Sequence, residues 1–158
     1  MITLLPLALY AFLGAASNPS AAAFVGTWTF VSEVDRHADG TEAHLTPAAG
    51  YDGLLVYTAN GYVTAQMYPR GRTWTATSVT PEELKTTFDL SASYFGTYEI
   101  NAAAGEITHH IIAALDPSGA NWDDKKGFTL SGDRLVLKGS WEVRGETIRY
   151  EVTWQRVR

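Results

Sequence analysis

Two adjacent histidines, His109 and His110, sit in an alternating apolar run from Gly105 to Leu115, and Tyr94, Tyr98 and Tyr150 fall in similar runs. Imidazole is the side chain that changes charge near neutral pH, which makes His109 a candidate acid or base. A buried phenol seeks a hydrogen-bond partner, so Tyr94, Tyr98 and Tyr150 could offer O–H groups to a substrate carbonyl and ease its enolisation or ring closure. Period-two alternation turns Ile107, His109, Ile111 and Ala113 one way and His110 the other, with the more apolar set inward. Two readings of His109 stand: an acid–base group with Tyr98 or Tyr150 orienting the substrate, or a core histidine bonded to a neighbouring tyrosine. The tyrosines likewise read as a polar handle in a pocket or as aromatic filling.

Other chemistries lack their residues. Four histidines are present, but neighbours on a strand face opposite ways and no acidic cluster completes a ligand set, so no metal is expected. The chain has no cysteine, which removes thiol nucleophiles, disulfides and thiolate zinc sites. No serine stands in a Gly-x-Ser-x-Gly elbow, and no glycine-rich loop could cradle a phosphate, so no cofactor is implied. The formal net charge is -5 with scattered Lys and Arg, which argues against nucleic acid and an anionic membrane surface. Asp123-Asp124-Lys125-Lys126 reads as a charged turn. Arg70, Arg72, Trp74 and Trp122 lie on two long loops, either rimming an opening or simply solvated.

The elements that position these groups are strands. Phe24–Asp35 alternates Trp28, Phe30, Ser32 and Val34 against Thr27, Thr29, Glu33 and Asp35. Gly53–Ala59 and Tyr62–Tyr68 flank Asn60-Gly61, a signal for a two-residue hairpin. That loop pairs Tyr57 with Thr64 and turns Leu54, Val56, Val63, Ala65 and Met67 inward, with Tyr57 and Gln66 outward. Thr80-Pro81-Glu82-Glu83 carries a capping box, predicting a helix to about 90–92 with Leu84 and Phe88 toward the sheet. Asp116–Lys126 reads as a loop, and hairpins continue to Arg149–Gln155, where Ile148, Tyr150, Val152 and Trp154 face in.

With 158 residues the chain makes one domain, 24–158, behind an apolar segment, 1–23. That segment reads either as a cleaved signal, which would place the protein outside the cytoplasm, or as a retained helix in a cytoplasmic one. Eight or nine hairpin-linked strands, one helix and no βαβ rhythm close most economically as an antiparallel up-and-down barrel.

Gly26-Thr27-Trp28, the Tyr57-Thr58-Ala59-Asn60-Gly61-Tyr62 hairpin, Ile107-Thr108-His109-His110, Asp133–Leu137 and Val152–Arg156 together resemble the lipocalin-like domain family of bacteria and fungi. The resemblance implies an all-β lipocalin-like barrel around a cavity for a small apolar organic molecule, with Arg156 packed over Trp28 to close one end. The inward faces of the alternating strands give the expected cavity lining: Trp28, Phe30, Val56, Met67, Tyr94, Ile111, Phe128, Trp141 and Val152. Some barrels of this kind act as cofactor-free isomerases or cyclases in natural-product metabolism. The expectation for this chain is such an enzyme with His109, Tyr98 and Tyr150 at its site, or else a carrier.

Overall fold

The computed structural model describes residues 19–46, 50–75, 78–143 and 145–158; most of the apolar N-terminal segment, and with it the choice between signal and retained helix, lies outside them. Nine strands follow a short 3-10 turn at Ala21–Ala23: β1 (Gly26–Arg36), β2 (Glu42–Leu45), β3 (Tyr51–Tyr57), β4 (Tyr62–Pro69), β5 (Ala92–Asn101), β6 (Glu106–Ala114), β7 (Trp122–Ser131), β8 (Arg134–Val143) and β9 (Glu146–Arg156). Each of β3 to β9 pairs antiparallel with its neighbour, and β9 returns to β1, closing the barrel. The first half of β1 pairs with β3 and the second half with β2, so β2 is an extra strand laid beside an eight-stranded closed barrel. Closure leaves the barrel strands no open edge. The expected up-and-down lipocalin-like barrel is the fold observed.

Two bulges set which side chains look inward. On β1 the register against β9 shifts between Phe30 and Ser32, with Val31 the unpaired residue. One extra residue reverses the alternation beyond it. Trp28 and Phe30 point in as expected, but past the bulge Glu33 and Asp35 turn in, opposite Val152 and Tyr150. Ser32 and Val34 take the outward side, reversing the reading from periodicity. On β6 a second shift leaves Ile112 unpaired; Gly96 then passes so close to the His110 backbone that a Cβ there would collide with the carbonyl.

The β3–β4 hairpin differs by one residue from the expectation. Only Gly61 has positive φ (86°) and Asn60 does not, which fits a type I turn followed by a left-handed glycine rather than type I′. Tyr57 therefore pairs with Val63 and Leu55 with Ala65. Tyr57 turns into the core, and Leu54 and Val56 face outward, so Val56 is not a cavity residue. Val63, Ala65 and Met67 keep the inward side.

Helix α1 (Pro81–Asp89) starts as its sequence dictates. The Glu83 N–H donates to Thr80 Oγ1 at 3.2 Å, and the Thr80 N–H donates to Glu83 Oε2 at 3.0 Å. Glu83 also accepts from the Thr75 hydroxyl and N–H, and these bonds, that of the Thr75 hydroxyl first, hold its carboxyl down to about 2. Thr80→Ala is expected to cost about 1 kcal/mol and to fray α1, seen as faster amide exchange over its first turn. The helix buries none of its residues: Leu84 and Phe88 are 56% and 43% exposed, against the expectation that they face the barrel.

Candidate functional site in the barrel interior

One end of the barrel is sealed. Trp28 is fully buried and donates from Nε1 to the Phe24 carbonyl at 2.9 Å. The Arg156 guanidinium lies 4.0 Å from the indole centre and donates to the carbonyls of Val25 (2.7 Å) and Ala23. Gly26 has φ +137°, and a Cβ there would lie 2.8 Å from Arg156 Nη1, so the glycine makes room for this plug. Arg156→Ala removes a cation–π contact and two charged hydrogen bonds; it is expected to cost about 2–3 kcal/mol, read as a lower urea midpoint.

Above the plug sits a buried polar network. His109, 0% exposed, has the Tyr57 hydroxyl 2.8 Å from Nε2 and the Tyr94 hydroxyl 2.7 Å from Nδ1. Burial first, then the charge of Lys126, holds the imidazole well below its usual pKa, so it is neutral. A neutral ring has one N–H, and the tyrosines decide where it lies. Tyr57 is fully buried, and its hydroxyl has no acceptor but the imidazole among the described residues. Its O–H therefore donates to Nε2, Nδ1–H donates to the Tyr94 oxygen, and the Tyr94 proton is left to point elsewhere. The reverse tautomer would strand a buried donor.

The side chains of β7 extend this network. Asp124 stands opposite His109 and Lys126 opposite Ile107, both inward. Lys126 is 5% exposed, forms an ion pair with Asp124, and lies 5.8 Å from the Tyr94 ring centre. Asp123–Lys126 is thus strand, not a charged turn, because the alternation of Leu130 and Phe128 continues through Lys126 to Asp124. Asp123 faces out and takes His110 Nδ1 at 2.6 Å.

Tyr150 stacks on Trp141, with centroids 4.6 Å apart and planes 19° apart. It occupies the face that Gly139 leaves bare; a Cβ there would strike the ring. Burial pushes the Tyr150 phenol up, helped by Asp124, Tyr94 and Glu33, so this ring feels both sides of the interior. Glu33, 7% exposed, is pushed up to about 8 by burial, then by the charge and hydrogen bond of Asp35. Asp35 Oδ1 and Trp154 Nε1 are buried and make no hydrogen bond.

Towards the opposite end, a cleft of about 640 Å³ lies beside the end of β1, α1 and the start of β9, lined by residues including His37, Phe88, Ser91, Glu146 and Ile148. A separate groove of about 520 Å³ lies outside, where Arg72 covers Tyr68 at 4.5 Å, Arg70 pairs with Asp52, and Trp74 is exposed. Trp122 opens β7 at the rim, opposite Ile111.

Of the residues named from sequence, His109 and Tyr94 meet directly. Tyr98 touches the Tyr57 ring, but its hydroxyl donates to the Thr58 carbonyl at the sealed end. Tyr150 stands across from Asp35, and Phe30, Met67, Phe128, Trp141 and Val152 share the inward side. Tyr57, Glu33, Asp35, Asp124 and Lys126 were missed. The last two could have been found by following the β7 alternation backwards; Glu33 and Asp35 depend on the bulge at Val31, whose sequence mark is that one apolar residue on the polar face of the strand.

A family model described as a lipocalin-like domain matches residues 25–157. No curated protein matches the chain. Among solved structures, EF1p2_mFAP2b bound to DFHBI is similar in fold at 14% identity and TM-score 0.50, over 90% of this chain and 100% of that one. A match spanning the whole barrel, on a closed sheet sealed by Arg156 over Trp28, places this chain in the lipocalin-like domain family.

Proposed function

We propose that the barrel binds a small, largely apolar molecule carrying a carbonyl, and that it is a cofactor-free isomerase or cyclase. The carrying observation is the Tyr57–His109–Tyr94 chain. It leaves the Tyr94 O–H unused by the imidazole, a donor in the barrel interior that suits the charge growing on an enolising oxygen. His109 then acts through Tyr94 as a positioning residue, fixing the direction of that proton. Lipocalin-like barrels suit small-molecule binding, and the similar barrel EF1p2_mFAP2b is solved with DFHBI bound.

The test uses Nile red as a neutral reporter and 2-tetralone as a competing ketone. Tyr94→Phe is expected to weaken 2-tetralone competition by about tenfold while Nile red still binds. Equal competition by both proteins would remove the donor from the account. A second reading, a carrier without turnover, is favoured by the occupation of both imidazole nitrogens; it predicts ketone binding with no exchange of the ketone's α-protons.

A further inference from the structure

We infer that Glu33 and Asp35 form the catalytic acid–base pair of this barrel, moving a proton between carbons of a ketone whose oxygen is held by Tyr94. The inference rests on the ketone-binding reading above and adds the groups that reading lacks. The bulge at Val31 turns both carboxyls inward, two positions apart on one strand face. The Asp35 charge adds to burial in keeping the neighbouring Glu33 carboxyl protonated, so the pair holds one proton. The second Asp35 oxygen is buried and unpartnered, which leaves it free to accept. In the strand order β1-β3-β4-β5, Tyr94 stands three strands from the pair, and Tyr150 couples electrostatically to both Tyr94 and Glu33. Trp154 Nε1, on a nine-tenths-buried inward side chain of the adjoining β9, is a further donor without a partner.

The step balances without cofactor. The Asp35 carboxylate takes the proton from the carbon beside the carbonyl. That C–H pair becomes the enolate double bond, the carbonyl π pair moves to oxygen, and the Tyr94 O–H bonds the oxygen. The carboxyl pair returns a proton to the same carbon, or to the γ-carbon of a β,γ-unsaturated ketone, giving the conjugated isomer. The substrate class is therefore an enolisable, largely apolar ketone. Groups facing the pair are Tyr51 on β3, Tyr150 on β9 and His37 at the end of β1.

The test is loss of the α-proton signal of 2-tetralone in deuterium oxide, followed by proton NMR for the wild type, Glu33→Gln and Asp35→Asn, with Nile red displacement measured in parallel. The wild type is expected to speed exchange over buffer, and each variant to lose about a hundredfold of that rate while still binding the ketone. The wild-type rate should fall as Glu33 loses its proton near pH 8, a limb absent from Glu33→Gln. Wild-type exchange in both variants would overturn the pair and leave the Tyr94 site standing. No exchange by the wild type with 2-tetralone still displacing Nile red would overturn the pair and leave the carrier reading, and failure of 2-tetralone to displace Nile red would overturn the Tyr94 site as well. Variants that lose ketone binding along with exchange would make the pair a ligand holder and overturn its role in proton transfer.

Discussion

His109→Ala is expected to lower the unfolding free energy by about 4 kcal/mol at pH 7. The imidazole is fully buried and holds two phenols, so its loss leaves the enclosed Tyr57 hydroxyl without an acceptor and opens a void beneath Tyr94. Tyr57→Phe removes one partner cleanly and should cost less. The pH dependence gives a second check. A histidine held neutral in the fold but protonated in the unfolded chain stabilises the fold above pH 6.5, and that stability is lost as pH falls below it. His109→Ala should lack this acid-side decline. Urea denaturation across pH measures both, and a cost under about 1 kcal/mol would mean that the network holds nothing together.

Glu33→Gln is expected to stabilise the protein at alkaline pH and to leave it unchanged near pH 4. The Glu33 carboxyl ionises at about 8 in the fold against 4.5 when free. Below 4.5 both states are protonated and no penalty exists. Between 4.5 and 8 the unfolded chain releases its proton and the fold does not, so stability falls as pH rises; above 8 the loss is constant. At pH 7 the gain from substitution is on the order of 3 kcal/mol. The same substitution is expected to abolish most proton exchange, so stability and activity should move in opposite directions, as they do where an active site holds a group in an unfavourable state. Equal stability of the two proteins at pH 8 would place Glu33 in contact with water.

The barrel was legible because its signals are local and repeated. Period-two alternation in β9, the capping box at Thr80, and Trp28 followed far along the chain by Arg156 each point to one structure. The site was less legible because single-residue events decide it. Val31 bulges, and every β1 residue beyond it changes side. At Asn60-Gly61 both type I and type I′ turns are open to the sequence, and the choice moves Tyr57 from the outer wall to the centre of the network. His109 was found because it lies on an unbulged stretch of β6, before Ile112. Lys126 and Asp124 were passed over because charge suggested solvent; paired, they sit inside at the cost of desolvation that their attraction offsets.

The most direct measurement of where this barrel does its work is the NMR spectrum of tyrosine- and glutamate-labelled protein titrated with 2-tetralone. The account predicts that Tyr94, Tyr150 and Glu33 shift together with one saturating curve, while the outward Tyr62 and Glu99 stay in place. Shifts confined to Tyr68 beside the outer groove, with the interior signals unmoved, would contradict it.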